Sequence, residues 1–230
     1  MELSPAEWTA ILLSLRVAAV ATVVATPLGI ALAWLLARHD FWGKSALDAM
    51  IHLPLVLPPV VTGYLLLLSF GRHGMVGAFL ADHLGIVFAF RWTGAALACG
   101  VMSFPLLVRP IRLSIEAVDR RLEQASATLG ASPWQVFATV TLPLALPGIL
   151  AGMVLGFAKA IGEFGATITF VSNIPGETQT ISSAIYSLIQ TPDGDTAALR
   201  LVVISIVIAT TALIGSEVFA RRATQRLHGN

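Results

Sequence analysis

Residues 145–171 read ALPGILAGMVLGFAKAIGEFGATITFV, a nearly unbroken apolar stretch long enough to cross a lipid bilayer. The hydrocarbon core of a membrane is about 30 Å thick and needs roughly 20 apolar residues in helical form. Two charged side chains, Lys159 and Glu163, interrupt the stretch, and they lie four residues apart on one helical face. The stretch therefore predicts a membrane-spanning helix whose charged pair faces protein or water.

The composition of the whole chain agrees with a membrane location. Of the 230 residues, 56% are hydrophobic and 12% are charged, whereas a soluble domain carries about 25% charged residues. The net charge is +1 and no basic run is present, so nothing indicates a nucleic-acid partner. The single cysteine, Cys99, excludes a disulfide framework and a cysteine-based metal motif. We expect one all-α integral membrane domain over residues 1–230, surrounded by membrane lipid.

Four more stretches have the length and apolarity of a span, which gives five transmembrane helices: 10–37, 46–70, 93–115, 145–171 and 198–220. Lysine and arginine concentrate on the cytoplasmic side of membrane proteins. With the N-terminus outside and the C-terminus in the cytoplasm, the cytoplasmic segments hold nine of these residues: Arg38, Lys44, Arg109, Arg112, Arg120, Arg121, Arg221, Arg222 and Arg226. The outer segments then hold three: Arg72, Arg91 and Arg200. The charge distribution therefore predicts this orientation.

Prolines interrupt the second span at Pro54, Pro58 and Pro59. A proline inside a helix removes a backbone donor and clashes with the carbonyl four residues earlier, so the helix must bend or unwind here. Broken helices often line transport routes in membrane proteins. An ordinary packing kink explains the same residues, and the sequence leaves both interpretations open.

The charged pair of the fourth span also has two interpretations. Lys159 is suited to attract an anion while Glu163 fixes its position, but the two side chains are equally suited to form an internal ion pair that orders the bundle. The candidate residues of a translocation pathway are Pro58, Pro59, Lys159, Glu163 and Thr167.

The loop before the fourth span, residues 122–143, reads LEQASATLGASPWQVFATVTLP. It predicts two short helices, because Gly130 is placed to end the first, Ser132 to cap the second and Pro133 to occupy its first turn. An amphipathic helix pair that is too short to span a membrane either lies on the membrane surface or inserts into the groove of a partner.

This loop resembles the coupling loop of bacterial ABC importer permeases. The pattern of that family is Glu-Ala-Ala, three residues, Gly, nine residues, Ile, one residue and Leu-Pro. Gly130, Val140, Leu142 and Pro143 match it in spacing, with valine in place of isoleucine. Gln124, Ala125 and Ser126 stand where the family has Glu-Ala-Ala, and Glu123 stands one position earlier. The resemblance implies that residues 122–143 sit in a cleft of an ATPase subunit and transmit its closure.

Three further segments are similar to the molybdate branch of these permeases: HLPLVLPPVVTGY at 52–64, MSFP at 102–105 and GEFGATITFVSNIPGE at 162–177. The resemblance implies the type I (MetI-like) permease fold, an inner-membrane location and translocation of molybdate by alternating access. The implied partners are a second copy of the chain, two ABC ATPase subunits and a periplasmic molybdate-binding protein. This chain would bind no cofactor, and ATP and Mg would be held by the ATPase.

Other functions fit the sequence less well, although sulfate permeases share part of the third segment, so that a sulfate or tungstate permease is an alternative. Gly43, Lys44 and Ser45 resemble the end of a phosphate-binding loop, but Arg38 stands where that motif needs glycine. The five histidines have no metal-ligand spacing, and no catalytic motif is present, which argues against an enzyme. An ion-coupled secondary transporter would show an internal repeat and intramembrane carboxylates besides Glu163.

Overall fold

The structure, a computed structural model, describes residues 3–228, with side chains described through residue 215. The secondary structure of this part is helical, as the sequence predicts. The helices are α1 (Pro5–Arg38), α2 (Lys44–Val56), α3 (Pro59–Phe70), α4 (Met75–Leu84), α5 (Trp92–Glu116), α6 (Arg120–Thr128), α7 (Pro133–Val136), α8 (Leu142–Ile161), α9 (Gly165–Val171), α10 (Ile181–Leu188) and α11 (Asp195–His228). The side chains of Arg221, Arg222 and Arg226, which the orientation argument counts, lie outside the described part.

Four helical stretches are long and apolar enough to cross a membrane individually: Pro5–Arg38, Trp92–Glu116, Pro133–Ile161 and Asp195–Gly215. The helices α2 and α3 meet the same criterion only together, and they are bent by 115°. At the start of α2, the carboxylate of Asp48 lies 2.9 Å from Arg112, near the end of α5. At the end of α3, the ring of Phe70 contacts Phe88, shortly before α5 begins. The bent pair therefore connects the two ends of α5, and counted as one broken span it brings the number of candidate spans from four to five.

The bend in the second span lies at Leu57 and Pro58, as the proline pattern predicts. Residues that precede a proline are pushed out of the helical region. Two successive prolines therefore leave both Leu57 (ψ 143°) and Pro58 (ψ 134°) in extended conformations. The isolated prolines Pro27 in α1 and Pro105 in α5 lie inside continuous helices.

The expectation of one continuous fourth span over 145–171 is wrong at both ends. The helix begins earlier, at Leu142, and ends at Ile161, after which residues 162–164 separate it from α9. Gly162 is a poor helix former and ends α8. The carboxylate of Glu163 then accepts a hydrogen bond from the amide of Ala166 in α9. The expectation of a separate second helix in the loop is also wrong, because α7 passes into α8 through a π-helical turn at Phe137–Thr141.

The core of the bundle is a close contact between α5 and α8 that is made by glycines. Gly148, Gly152 and Gly156 recur every four residues on one face of α8, and this spacing of small residues lets helix backbones approach in membranes. A Cβ atom built on Gly152 would lie 2.5 Å from the backbone oxygen of Leu107 in α5. The side chain of Leu107 is fully buried, and it also fills the space beside Gly29 of α1. Three helices are therefore packed around one leucine.

Ion pairs and short helices hold the ends of the spans. Glu7 of α1 is buried, and its carboxylate lies 2.9 Å from Arg200 of α11. The helices α4 and α10 lie in the two segments that the predicted orientation places on the outer side, 71–92 and 172–197. The thiol of Cys99 is buried and lies 3.5 Å from the carbonyl oxygen of Ala160.

We predict that Gly152→Ala destabilises the protein by about 1–3 kcal/mol, because the added methyl group overpacks against the backbone of α5 and cannot be avoided by a side-chain rotation. The matched control is Gly100→Ala, whose Cβ would meet its nearest neighbour, Ala21, at 3.9 Å. Thermal unfolding in detergent measures both variants. Equal melting temperatures for the two variants would contradict the glycine contact.

Candidate coupling loop and translocation pathway

The turn between α6 and α7 has the local geometry that its sequence predicts. Gly130 has a φ of +91°, a left-handed conformation that glycine adopts without strain. The amide of Ala131 donates to the carbonyl of Ser126 at 3.3 Å, which closes the end of α6. Ser132 and Gln135 cap α7 reciprocally, side chain to backbone. Hydrogen bonds within the loop itself thus fix the end of α6 and the start of α7.

The loop exposes large apolar side chains. Trp134 is 73% exposed and Leu129 is 90% exposed, and half of Leu122 is accessible. Gln124, Ala125 and Gly130 are exposed as well. Clustered apolar exposure of this kind marks a surface that contacts another protein or a membrane.

Glu123 differs from its neighbours because its side chain points into the protein. Its Oε1 atom accepts hydrogen bonds from Arg38 of α1, at 3.2 Å from Nε and 3.0 Å from Nη2, and from the hydroxyl of Thr141. Arg38 also donates to the carbonyl of Val118 at 3.1 Å. The carboxylate therefore connects α6 to α1 and to the π-helical turn.

The remaining residues of the family pattern lie where the loop enters the membrane helix. Val140 is part of the π-helical turn, which closes when the amide of Leu142 donates to the carbonyl of Phe137. Leu142 and Pro143 form the first turn of α8, and Leu142 packs against the core. These residues fix the junction of the loop with the span rather than its exposed surface.

The breaks in the second and fourth spans lie against each other. A Cβ atom on Gly63 of α3 would lie 2.5 Å from the backbone oxygen of Ala166 in α9. A Cβ atom on Gly165 would lie 2.7 Å from the side chain of Pro59. The starts of two half-length helices therefore touch, and irregular backbone at membrane depth is tolerated where protein or a water-filled cavity surrounds it.

Lys159 and Glu163 form an ion pair at this break, with Nζ 2.7 Å from Oε2. The second oxygen of Glu163 accepts from the amide of Ala166 at 3.0 Å. The Glu163 side chain is 1% exposed, whereas the Lys159 side chain is 30% exposed. The carboxylate therefore joins α8 to α9, while the lysine side chain is partly exposed.

The other pathway candidates have mixed surroundings. Pro58 caps α3 and Pro59 begins it. Thr167 is buried, and its hydroxyl donates to the carbonyl of Phe164 at 2.9 Å. Thr62 is buried and its hydroxyl has no hydrogen-bond partner among the described residues. Sequence reasoning did not identify Thr62, although its position beside the Pro-Pro break was a signal.

Sequence reasoning also missed the residues that support the loop. Arg38 was considered only as a positive charge and as the residue that breaks the phosphate-binding motif, and neither Trp34 nor Thr141 was singled out. The ring of Trp34 lies 5.6 Å from that of Phe137, and the ring of Phe137 lies 5.4 Å from that of Trp134. A cation after a long apolar helix was the available signal for Arg38.

Comparison with known proteins identifies the family. The sequence pattern of the binding-protein-dependent transport system inner membrane component matches residues 25–225. The chain belongs to this family. As a permease subunit of an ABC transporter, it is a multi-pass inner-membrane protein, and such subunits lack an ATPase site.

Two relatives of this permease match over nearly their full length. The molybdenum transport system permease protein ModB of Escherichia coli (strain K12) is 60% identical over 98% of this chain and 99% of its own. The protein of the same name from Haemophilus influenzae is 56% identical over 96% of both chains.

Solved structures confirm the fold of the permease. The bacterial alginate ABC transporter in complex with its alginate-bound periplasmic protein matches with a TM-score of 0.75, at 19% identity, over 96% of this chain and 81% of that chain. An inward-facing MetNI methionine ABC transporter matches with a TM-score of 0.67, at 16% identity, over 95% and 94%. The MetI-type fold predicted from the sequence is therefore confirmed.

No group of three metal-ligating side chains occurs among the described residues. The chemistry of the candidate site is that of charge pairing, backbone contact and apolar surface.

We predict that Lys159→Met destabilises the permease more than Glu163→Gln does. Removal of the lysine leaves a buried carboxylate unpaired, which costs about 3–5 kcal/mol, whereas the lysine that remains in Glu163→Gln is 30% exposed and therefore less fully buried. Thermal unfolding of the two variants in detergent measures the difference. A larger loss in Glu163→Gln would contradict this asymmetry.

Proposed function

We propose that this chain is the membrane-spanning subunit of a molybdate importer that works by alternating access. The observation that carries the proposal is the full-length identity, at 60% and 56%, to two molybdenum transport permeases. The structure supports the proposal with up to five candidate spans, of which the second is broken at Leu57 and Pro58.

The partners follow from the family and from the exposed loop. A binding-protein-dependent system needs a periplasmic binding protein, here one for molybdate, and the ABC class needs two ATPase subunits that hold ATP and Mg. We assign the ATPase contact to residues 122–143, with Gln124, Ala125 and Gly130 on its surface and Glu123, Val140, Leu142 and Pro143 supporting it. The charge distribution, which favours this end as cytoplasmic, supports the assignment.

We propose that the pathway runs along the two touching helix breaks. Its candidate residues are Pro58, Pro59, Lys159, Glu163 and the buried Thr167. Half-length helices that meet inside a membrane protein commonly form the transport site. A single copy leaves large apolar side chains of α3 exposed beside this break, including Val61, Tyr64 and Leu65. A homodimer of two permeases would cover them and close the route on its open side.

We predict that Gly130→Asp abolishes ATPase coupling while the permease remains in the membrane. Asp at this position places a negative charge on the docking surface. The matched control is Gly43→Asp, because Gly43 has the same φ of +91° and equally open surroundings but lies outside the loop. The measurement is molybdate-dependent ATP hydrolysis by the complex, and normal hydrolysis in Gly130→Asp would contradict the docking role.

The transported anion is tested by uptake into proteoliposomes that contain the complex and its binding protein. We expect uptake of molybdate, and of tungstate as its near isostere, and no comparable uptake of sulfate. Sulfate uptake at the rate of molybdate would instead favour the sulfate permease alternative. Uptake without ATP, driven by an ion gradient, would favour a secondary transporter.

A further inference from the structure

Glu123 is the one acidic residue of the loop 122–143, yet it does not lie on the exposed surface. Its side chain is 17% exposed, while Gln124 and Ala125, which follow it directly, are exposed. The Oε1 atom takes charge-assisted hydrogen bonds from Arg38, which are stronger than bonds between neutral groups. The carboxylate is thus engaged within its own chain.

Three separate segments meet at this carboxylate. Arg38 belongs to the last turn of α1, Glu123 to the first turn of α6 and Thr141 to the π-helical turn. Arg38 is 85 residues from Glu123, and Thr141 is 18 residues from it. Arg38 is 9% exposed in its side chain and Thr141 is 1% exposed, so solvent screens these bonds less than those of a surface pair.

A chain of aromatic contacts makes a second connection between the same segments. Trp134 on the exposed surface contacts Phe137, and Phe137 contacts Trp34 of α1 at 5.6 Å. Trp34 lies four residues before Arg38, and both therefore lie on the same side of the final turns of α1. The loop thus rests on α1 through one polar and one aromatic contact.

The π-helical turn lies between the loop and α8. Such turns are less regular than the α-helix, and they occur frequently at functional sites. Its backbone is continuous with α8, so α8 follows the loop through covalent structure. No comparably short stretch of chain joins the loop to α1. Movement of the loop can therefore reach α1 directly only through side-chain contacts.

We propose that Glu123 is a positioning residue that makes α1 move together with the coupling loop. It binds Arg38 and Thr141 and does not contact the ATPase. When the ATPase displaces α6 and α7, Glu123 transmits the displacement to α1. The contact of Gly29 in α1 with Leu107 then passes it to α5 and α8. This inference rests on the proposed docking of the ATPase at the loop.

The test uses the complex of this permease with its cognate ABC ATPase and binding protein, reconstituted in liposomes. The variants are Glu123→Gln, Arg38→Gln and the double variant, and the probes are ATP and molybdate. We expect each single variant to bind the ATPase within about twofold of the unmodified chain but to transport about fivefold less molybdate per ATP hydrolysed. The double variant should lose little more than either single variant, because the two residues act as one unit.

Two further variants distinguish loss of the proposed coupling from a general loss of folding. Thr141→Val removes one hydroxyl donor and keeps the Arg38–Glu123 pair, so it should lower the transport ratio less than Glu123→Gln does. Arg38→Lys keeps the charge but loses the planar donor group, and it should retain more coupling than Arg38→Gln. A general loss of packing would not follow this order.

The matched control is Asp40→Asn, which breaks an ion pair at the same end of the bundle. Asp40 lies 2.7 Å from Lys44, and the hydrogen bond from Lys44 lowers the pKa of Asp40. It is exposed and outside the loop, and exposed pairs contribute little. We expect unchanged transport per ATP.

Two results would overturn the inference. If Glu123→Gln weakens ATPase binding by about tenfold while Arg38→Gln does not, Glu123 contacts the ATPase directly. If both variants transport normally per ATP, the pair does not transmit movement. Neither result bears on the docking role of the loop, which is contradicted separately by normal molybdate-dependent ATP hydrolysis in Gly130→Asp.

Discussion

The close approach of α5 and α8 is the constraint on which the rest of the structure depends. Three glycines at four-residue spacing let the two backbones come near enough for Leu107 to be fully buried between them and α1. In lipid, moving an apolar side chain from the bilayer into the protein gains little free energy. Helix association in the membrane is therefore stabilised largely by close packing, whereas a soluble core is stabilised by the hydrophobic effect. The other spans are placed relative to this pair.

Two helix breaks adjoin this closely packed pair. The breaks at Pro58 and at residues 162–164 interrupt the helical hydrogen bonding of two apolar segments. They are held against each other by Gly63 and Gly165 and by the carboxylate of Glu163. The molecule thus combines a closely packed helix pair with two helix interruptions that pack against each other.

The sequence predicts the parts of this structure that depend on local chemistry. Span number follows from runs of apolar residues, the bend at Pro58 from successive prolines, and the turn at Gly130 from capping residues. The break after Ile161 was missed because Gly162 and Glu163 are only a short interruption in an apolar run. The role of Glu123 was not predictable, because its partner Arg38 is 85 residues away and pairing at that distance depends on tertiary structure. The glycine spacing in α8 was visible in the sequence, but the helix that it faces was not.

The ion pair between Glu7 and Arg200 has a consequence for how the chain is made. Its members are 193 residues apart, so a ribosome completes α1 long before the last span exists. Until α11 is inserted, the carboxylate of Glu7 has only Ser4 to hydrogen-bond with among its partners in the finished fold. The burial of Glu7 is therefore complete only when the last span has docked beside the first. A nascent permease that stops short of residue 200 therefore lacks the cationic partner of a buried carboxylate, and it differs electrostatically from a finished one at this end of the bundle.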